Sequence, residues 1–378
     1  MRKLLVFMAF LTSLIWNPPL SFAQNAKSPD TKVAFIGTYT KKEGHVDGKA
    51  EGIYSVILDP KTGILKQGKT LAEITNPSFV KTSPDGKYLY AVSELGPKDA
   101  SSGEIYAYKI LPDNSLKELN SLPTRGLAPC NIEVDPTGEF VFVSNYLGGV
   151  VTLYQKQPDG SLQEKQVITL ENKEKSHPHS VTISEDNQTA YVADLGNDRI
   201  WIFDFDAEKG KLETHQQVFI ALEQGAGPRH FALSRDGDFA YSMNELNSTV
   251  SAFKVLDDGG LELLQSITSL PEDFQGKNSG ADIHIHPSGE FLYVSNRGHN
   301  SIAAFRVGET SGELESIGYT ETKGKTPRNF AIAPGGEFLF VANQDSGNIT
   351  TFEIDEHSGE LKFVESLEIA TPVCIEFK

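Results

Sequence analysis

The chain has 378 residues, 39% of them hydrophobic, with 51 Asp and Glu against 34 Lys and Arg and a formal net charge of −17. Such acidity disfavours nucleic acid and anionic membranes, which are themselves polyanions. A small anionic substrate stays open, because it responds to a local arginine cluster and not to total charge.

The N-terminus reads as an export signal. Arg2 and Lys3 give a basic start, LLVFMAFLTSLIW an apolar core, and Ser21-Phe22-Ala23 a small-x-small cleavage site. Cleavage after Ala23 leaves residues 24–31 as a polar linker and places the protein in the periplasm or outside the cell, with no membrane attachment. No Cys follows the apolar core to carry a lipid.

From residue 32 onward one phrase recurs about every fifty residues. It reads NPSFVKTSPDGKYLYAVSEL from Asn76, APCNIEVDPTGEFVFVSNYL from Ala128 and HPHSVTISEDNQTAYVADLG from His177. It returns as GPRHFALSRDGDFAYSMNEL from Gly227, GADIHIHPSGEFLYVSNRG from Gly280 and TPRNFAIAPGGEFLFVANQD from Thr326. Each unit holds four short runs rich in Val, Ile, Phe and Tyr, bounded by turn residues, with no amphipathic run of helical length. Four antiparallel strands per repeat make a propeller blade. A seventh copy is split: TPVCIEFK at the C-terminus supplies its first strand, and KVAFIGTYT with GIYSVILD the next two. The expected fold is therefore an all-β, seven-bladed β-propeller over residues 32–378, its ring closed by pairing the C-terminal strand with the N-terminal ones. Closure removes the exposed edge that an unpaired CIEFK would leave.

With strands a to d running outward from the axis, antiparallel order puts the a–b and c–d turns at one end. These are SPDG, DPTG, SRDG, HPSG, APGG and their like, turn formers with no chemistry of their own. At the other end, the residue that opens strand a varies: Ser78, Cys130, His179, Arg229, Asp282 (after Ala281), Arg328 and Val373. Strand b ends in a nearly constant Asn or Asp (Asn145, Asp194, Asn244, Asn296, Asn343), read as a backbone cap. The next residue varies again: Glu94, Tyr146, Leu195, Glu245, Arg297, Gln344. Variation where a structural position would be uniform marks this channel mouth as the functional face. The expected catalytic set is His179, Arg229, Glu245 and Arg297, with Asp282, Arg328 and Tyr146 binding substrate. Arg229 and Glu245 belong to one blade and should flank each other. His230 and His284 read as barrel-facing residues outside the catalytic set. Cys130 and Cys374 read as small buried residues. No CxxC, HExxH or Walker A pattern occurs, so no metal or cofactor is implied.

HPHSV, GPRHFAL, NELNSTV, ADIHIHPSGEFLYVSNRGHNSIAAF and PRNFAIAPGGEFLFVANQDSGNI resemble the lactonase family of seven-bladed propellers. That family includes bacterial 6-phosphogluconolactonases and fungal 3-carboxy-cis,cis-muconate lactonizing enzymes. The resemblance covers essentially the whole mature chain and implies an active site of a His, two Arg and a Glu. These fall on His179 in HPH, Arg229 in GPRH, Glu245 in NEL and Arg297 in NRG. Cys130 departs from the pattern, which leads one to expect a His. The implied activity is hydrolysis of a sugar lactone, with His179 or Glu245 as general base and the arginines on the carbonyl oxygen or an anionic substituent. A cycloisomerase of the muconate type and a non-catalytic binding propeller are the alternatives. An exported location argues against a phosphorylated, cytoplasmic substrate.

Overall fold

Inner strands of each repeat are continuous apolar runs, and the structure shows why. In Phe291–Arg297 (FLYVSNR) every residue but the last is buried, because a strand in the middle of a blade is covered on both faces by its neighbours. The outermost strands alternate instead: Leu162–Thr169 (LQEKQVIT) is buried or half-buried at every second position and exposed between them, the pattern of a sheet edge wetted on one side. The computed structural model describes residues 32–378, so the expected signal peptide and linker lie outside the described residues.

The strands assemble into seven sheets of four, each antiparallel throughout. Six are sequential. The seventh has the order Pro372–Phe377, Lys32–Thr38, Ile53–Leu58, Leu65–Ala72, so the C-terminal strand sits innermost and pairs with the first strand through Ala34–Phe377, Ile36–Ile375 and Gly37–Cys374. The ring closure expected from the split repeat is present. We number the blades from this one: 1 holds the closure, and 2 to 7 occupy residues 80–123, 127–169, 178–221, 228–268, 279–321 and 327–368.

The core lies between blades, as apolar clusters that each join strands of adjacent sheets. Two polar devices recur across these interfaces. Tyr191, Tyr241 and Tyr293, alike in strand b, donate their hydroxyls to the carbonyls of Gly259, Gly312 and Gly359 in the next blade's c–d turn, at 2.8, 2.9 and 2.9 Å. On the outside, the Asn120, Gln166, Gln217 and Gln265 amides each bridge the N–H and C=O of a leucine near the start of the outer strand in the following blade, Leu162, Leu212, Leu261 and Leu314. The a–b turns need a left-handed residue: Gly237 (φ 79°) and Gly289 (φ 82°) supply it, and in blade 4 Asn187 (φ 61°) takes the same place.

Tyr241→Phe keeps the ring packing and strands a buried carbonyl. It is expected to lower unfolding stability by about 1–2 kcal/mol, read as a shift of the urea midpoint at unchanged slope.

Candidate active site

The d–a and b–c connections gather at one end of the ring around a cavity of about 490 Å³. Its floor is made by residues that open strand a or follow strand b, and its wall by two long b–c loops, residues 39–52 of blade 1 and 94–103 of blade 2. The near-constant Asn and Asp frame it from behind as expected. Asn145 donates to the Thr124 and Val150 carbonyls, Asn296 to the Ser269 carbonyl, and Asp194 accepts from the His177 N–H, Ser176 and Trp201.

Glu245 is the hinge of the charged cluster. Its Oε2 accepts from Arg297 Nη2 at 2.8 Å and lies 3.2 Å from Arg229 Nε. The Arg229 N–H at that atom has no hydrogen-bond partner, so this contact is an ion pair without a directed bond. Burial opposes the Glu245 charge, but Arg297, Arg229 and Arg328 together hold its carboxyl below the usual carboxylate range. Arg297 also donates Nη2 to the Gly280 carbonyl at 2.9 Å. Arg229 is 2% exposed, donates Nη1 to the Ala281 carbonyl at 2.7 Å, and lines a small axial recess below the main cavity.

His179 stands in the cavity floor, 3% exposed, with its ring edge-on to Tyr146 and to His230 at centroid distances of 5.7 and 5.3 Å. Burial, then the positive charge of Arg229, keeps its pKa well below the ordinary histidine value, so the imidazole is neutral. Cys130 Sγ lies 3.8 Å from His179 Nδ1; burial pushes that thiol up to about 12, so it packs as a thiol and is no nucleophile. Both cysteines are free and buried. Tyr146 is fixed by the first His of HPH: the His177 ring stacks on it at 4.4 Å, and Nδ1–H donates to the Tyr146 carbonyl at 2.7 Å.

Arg328 lines the cavity, half-buried, with its guanidinium 5.6 Å from the centroid of the Tyr39 ring. Among the described residues it makes no side-chain hydrogen bond and no ion pair. Tyr39 in turn donates its hydroxyl to Glu94 Oε2 at 2.9 Å. Sequence reading passed over Tyr39, His45 and Glu94 as site residues. The signal was there for two of them: Tyr39 and Glu94 follow strand b in blades 1 and 2, the same variable position as Tyr146, Glu245 and Arg297.

Asp282 does not line the cavity. Strand register explains this: Gly280 pairs with Asn296 as Pro228 pairs with Asn244, so Ala281 takes the place of Arg229 and Asp282 that of His230. One position turns a side chain to the other face. Asp282 is 2% exposed and its carboxylate accepts five hydrogen bonds, from His230 Nδ1 (2.6 Å), the Ile283 N–H (3.0 Å), His284 Nε2 (3.0 Å), Asn329 Nδ2 (2.6 Å) and the Phe330 N–H (3.1 Å). With Nδ1–H given to Asp282, His230 Nε2 is free to accept from Arg229 Nη1 at 3.3 Å. His230 and His284 thus serve this carboxylate from the axial side, away from the cavity.

Two arginines at the cavity with a third just below it, a neutral imidazole and the carboxylates of Glu43, Glu94, Asp99 and Glu245 can bind a polarised carbonyl and move a proton beside it. Residues 33–377 match the family model described as lactonase, 7-bladed beta-propeller. The chain belongs to this lactonase family. It is 34% identical over 308 residues to a 6-phosphogluconolactonase of Bacillus subtilis, covering 79% of this chain and 84% of that protein. It is 36% identical over 310 residues to a 6-phosphogluconolactonase of Formosa agariphila, with 79% and 85% covered. Among solved structures, the periplasmic gluconolactonase PpgL of Pseudomonas aeruginosa superposes with a TM-score of 0.85 at 31% identity, over 92% of this chain and 99% of that one.

Burial, and then Arg229, push His230 down to about 4 despite its bond to Asp282. A histidine that stays neutral when folded contributes stability that is complete above its unfolded pKa, roughly 6.5, and is lost as pH falls through about 4, because the unfolded chain takes up the proton first. Unfolding free energy is expected to drop by about 3 kcal/mol across that window from this group. His230→Asn, which keeps a donor for Asp282 and removes the titration, should flatten the slope of stability against pH.

Proposed function

We propose that the protein hydrolyses a sugar lactone of the gluconolactone type in this cavity, outside the cytoplasm. The observation that carries the reading is the neutral His179 in the cavity floor beside the Glu245–arginine cluster, in a chain of the lactonase family. A neutral imidazole can take a proton from water at pH 7. Glu245, committed to Arg229 and Arg297, serves to hold both guanidiniums in place. The reaction adds water across the ring ester: its proton passes to His179, and the ring oxygen leaves with a proton returned from the same imidazole.

Substrate choice follows from the wall and the compartment. Glu43 and Glu94 line the wall of the cavity. Carboxylates there accept hydrogen bonds from sugar hydroxyls and repel a phosphate. Residues 1–23 have the makeup of an export signal, and no helix among the described residues is long and apolar enough to cross a membrane. The similarity to a periplasmic gluconolactonase agrees with an unphosphorylated lactone met outside the cytoplasm.

Hydrolysis of glucono-δ-lactone and 6-phosphogluconolactone, followed side by side by pH-stat with the spontaneous rate subtracted, tests the reading. The wild type should accelerate both or the first alone, with glucono-δ-lactone preferred in kcat/KM. His179→Gln should lose about 10²–10⁴-fold in kcat, and Glu245→Ala should lose activity with it. Folded wild type that accelerates neither lactone would move the assignment to a cycloisomerase or a binding propeller.

A further inference from the structure

The three arginines at the mouth are not equivalent. Arg297 gives Nη2 to Glu245 and to the Gly280 carbonyl. Arg229 is buried below the cavity, with Nη1 committed to Ala281 and His230 and its charge matched by Glu245. Arg328 has neither a carboxylate nor a carbonyl among the described residues, and it lines the same cavity as His179. A guanidinium carries five donors in a planar fork. Arg328 spends none of these donors on the protein among the described residues, so they are left for what the cavity holds.

Its surroundings hold it ready. Arg328 follows Pro327 at the start of strand a, the register position of His179 and Arg229. These three side chains therefore converge on the axis from blades 7, 4 and 5. The Tyr39 ring stands against the guanidinium, and Glu94 locks that ring by its hydroxyl. A planar cation against an aromatic face keeps its orientation while its N–H edge stays free.

We propose that Arg328 is the donor that holds the lactone carbonyl oxygen and carries its charge as water adds, with Arg229 and Arg297 acting as fixed supports that share Glu245. The assignment rests on the lactonase reading above. Water attacks the carbonyl carbon and gives its proton to His179. The carbonyl π pair moves onto oxygen, where the Arg328 N–H groups meet the charge. The pair returns, the ring C–O bond breaks, and the departing oxygen takes the proton from His179. One water is consumed and one hydroxy acid is formed, with no other reactant.

The test uses the full chain with Arg328→Ala, Arg328→Gln and Arg328→Lys, measuring glucono-δ-lactone hydrolysis by pH-stat and thermal unfolding of each. The expected result is a loss of roughly 100- to 1000-fold in kcat for Ala and Gln, with KM changed much less, and a partial loss for Lys. Methylguanidinium at non-denaturing concentration should restore part of the Ala variant's rate. The Tm of the Gln variant should stay near that of wild type, because Arg328 makes no hydrogen bond or ion pair with the protein among the described residues. Wild-type activity retained within threefold in the Gln variant overturns the assignment and leaves the lactonase reading standing. A lowered Tm in both Gln and Lys variants without methylguanidinium rescue makes Arg328 structural and overturns it too. A wild type inactive on the lactone removes the reading and this assignment together.

Discussion

A single carboxylate near the axis organises the inner end of the ring. Asp282 collects five hydrogen bonds from three consecutive blades: His230 from blade 5, Ile283 and His284 from its own, Asn329 and Phe330 from blade 7. A charge this buried is tolerable only when its lone pairs are filled by donors. His230 then presents its other nitrogen to Arg229, Arg229 pairs with Glu245, and Glu245 reaches across to Arg297. One continuous network thus runs from the axis to the cavity floor, and the positions of the mouth residues are inherited from it. His179, whose ring is edge-on to His230, leans on the same network without belonging to it.

The architecture was legible in the sequence because a propeller repeats its physics. Strand b must be apolar throughout, the a–b turn must supply a left-handed residue, and the end of strand b must cap loose backbone, so each blade writes the same phrase. The split first copy was legible for the same reason, and the strand order bears it out. The Arg229–Glu245 contact followed from antiparallel geometry alone. Asp282 went differently because blade 6 opens with Gly280-Ala281-Asp282 where most other blades have Pro and one variable residue. Counting from the missing Pro put the aspartate one place early, and one place in a strand is a change of face. Tyr39 was hidden by the split, since its blade has no contiguous phrase against which to align it. Pairing between blades is a further matter that no spacing reveals: that Arg297 of blade 6 also meets Glu245 of blade 5 depends on side-chain reach.

Total charge proved a poor guide to the site. The chain is strongly acidic, yet the mouth and the recess just below it gather three guanidiniums near one neutral imidazole. Burial first, and then the positive charges of Arg229 and Arg328, keep a proton off His179. Against burial, Arg297 and these same charges hold the Glu245 carboxyl below the usual carboxylate range. Two titratable groups side by side thus have their pKa values lowered by one cluster of arginines, which keeps the imidazole neutral and the carboxylate charged.

The closure of the ring and the completion of the site are the same event. Arg328 belongs to blade 7, the last formed in chain order, and the tyrosine against it belongs to blade 1, the first. Tyr39 comes directly after the strand that pairs with the C-terminal strand, and its backbone N–H donates to the Thr371 carbonyl just before that strand begins. The Thr371 hydroxyl, at the same corner, accepts from the Lys49 N–H in the loop that forms the cavity wall. Until residues 372–377 dock, neither Tyr39 nor the 39–52 loop has the seam on which it rests. An open ring can hold Arg229, Glu245 and Arg297 in place, since blades 5 and 6 are sequential neighbours. It cannot bring Tyr39 to Arg328. The guanidinium that has no carboxylate or carbonyl partner among the described residues therefore stands at the seam, where blade 7 meets the first strand.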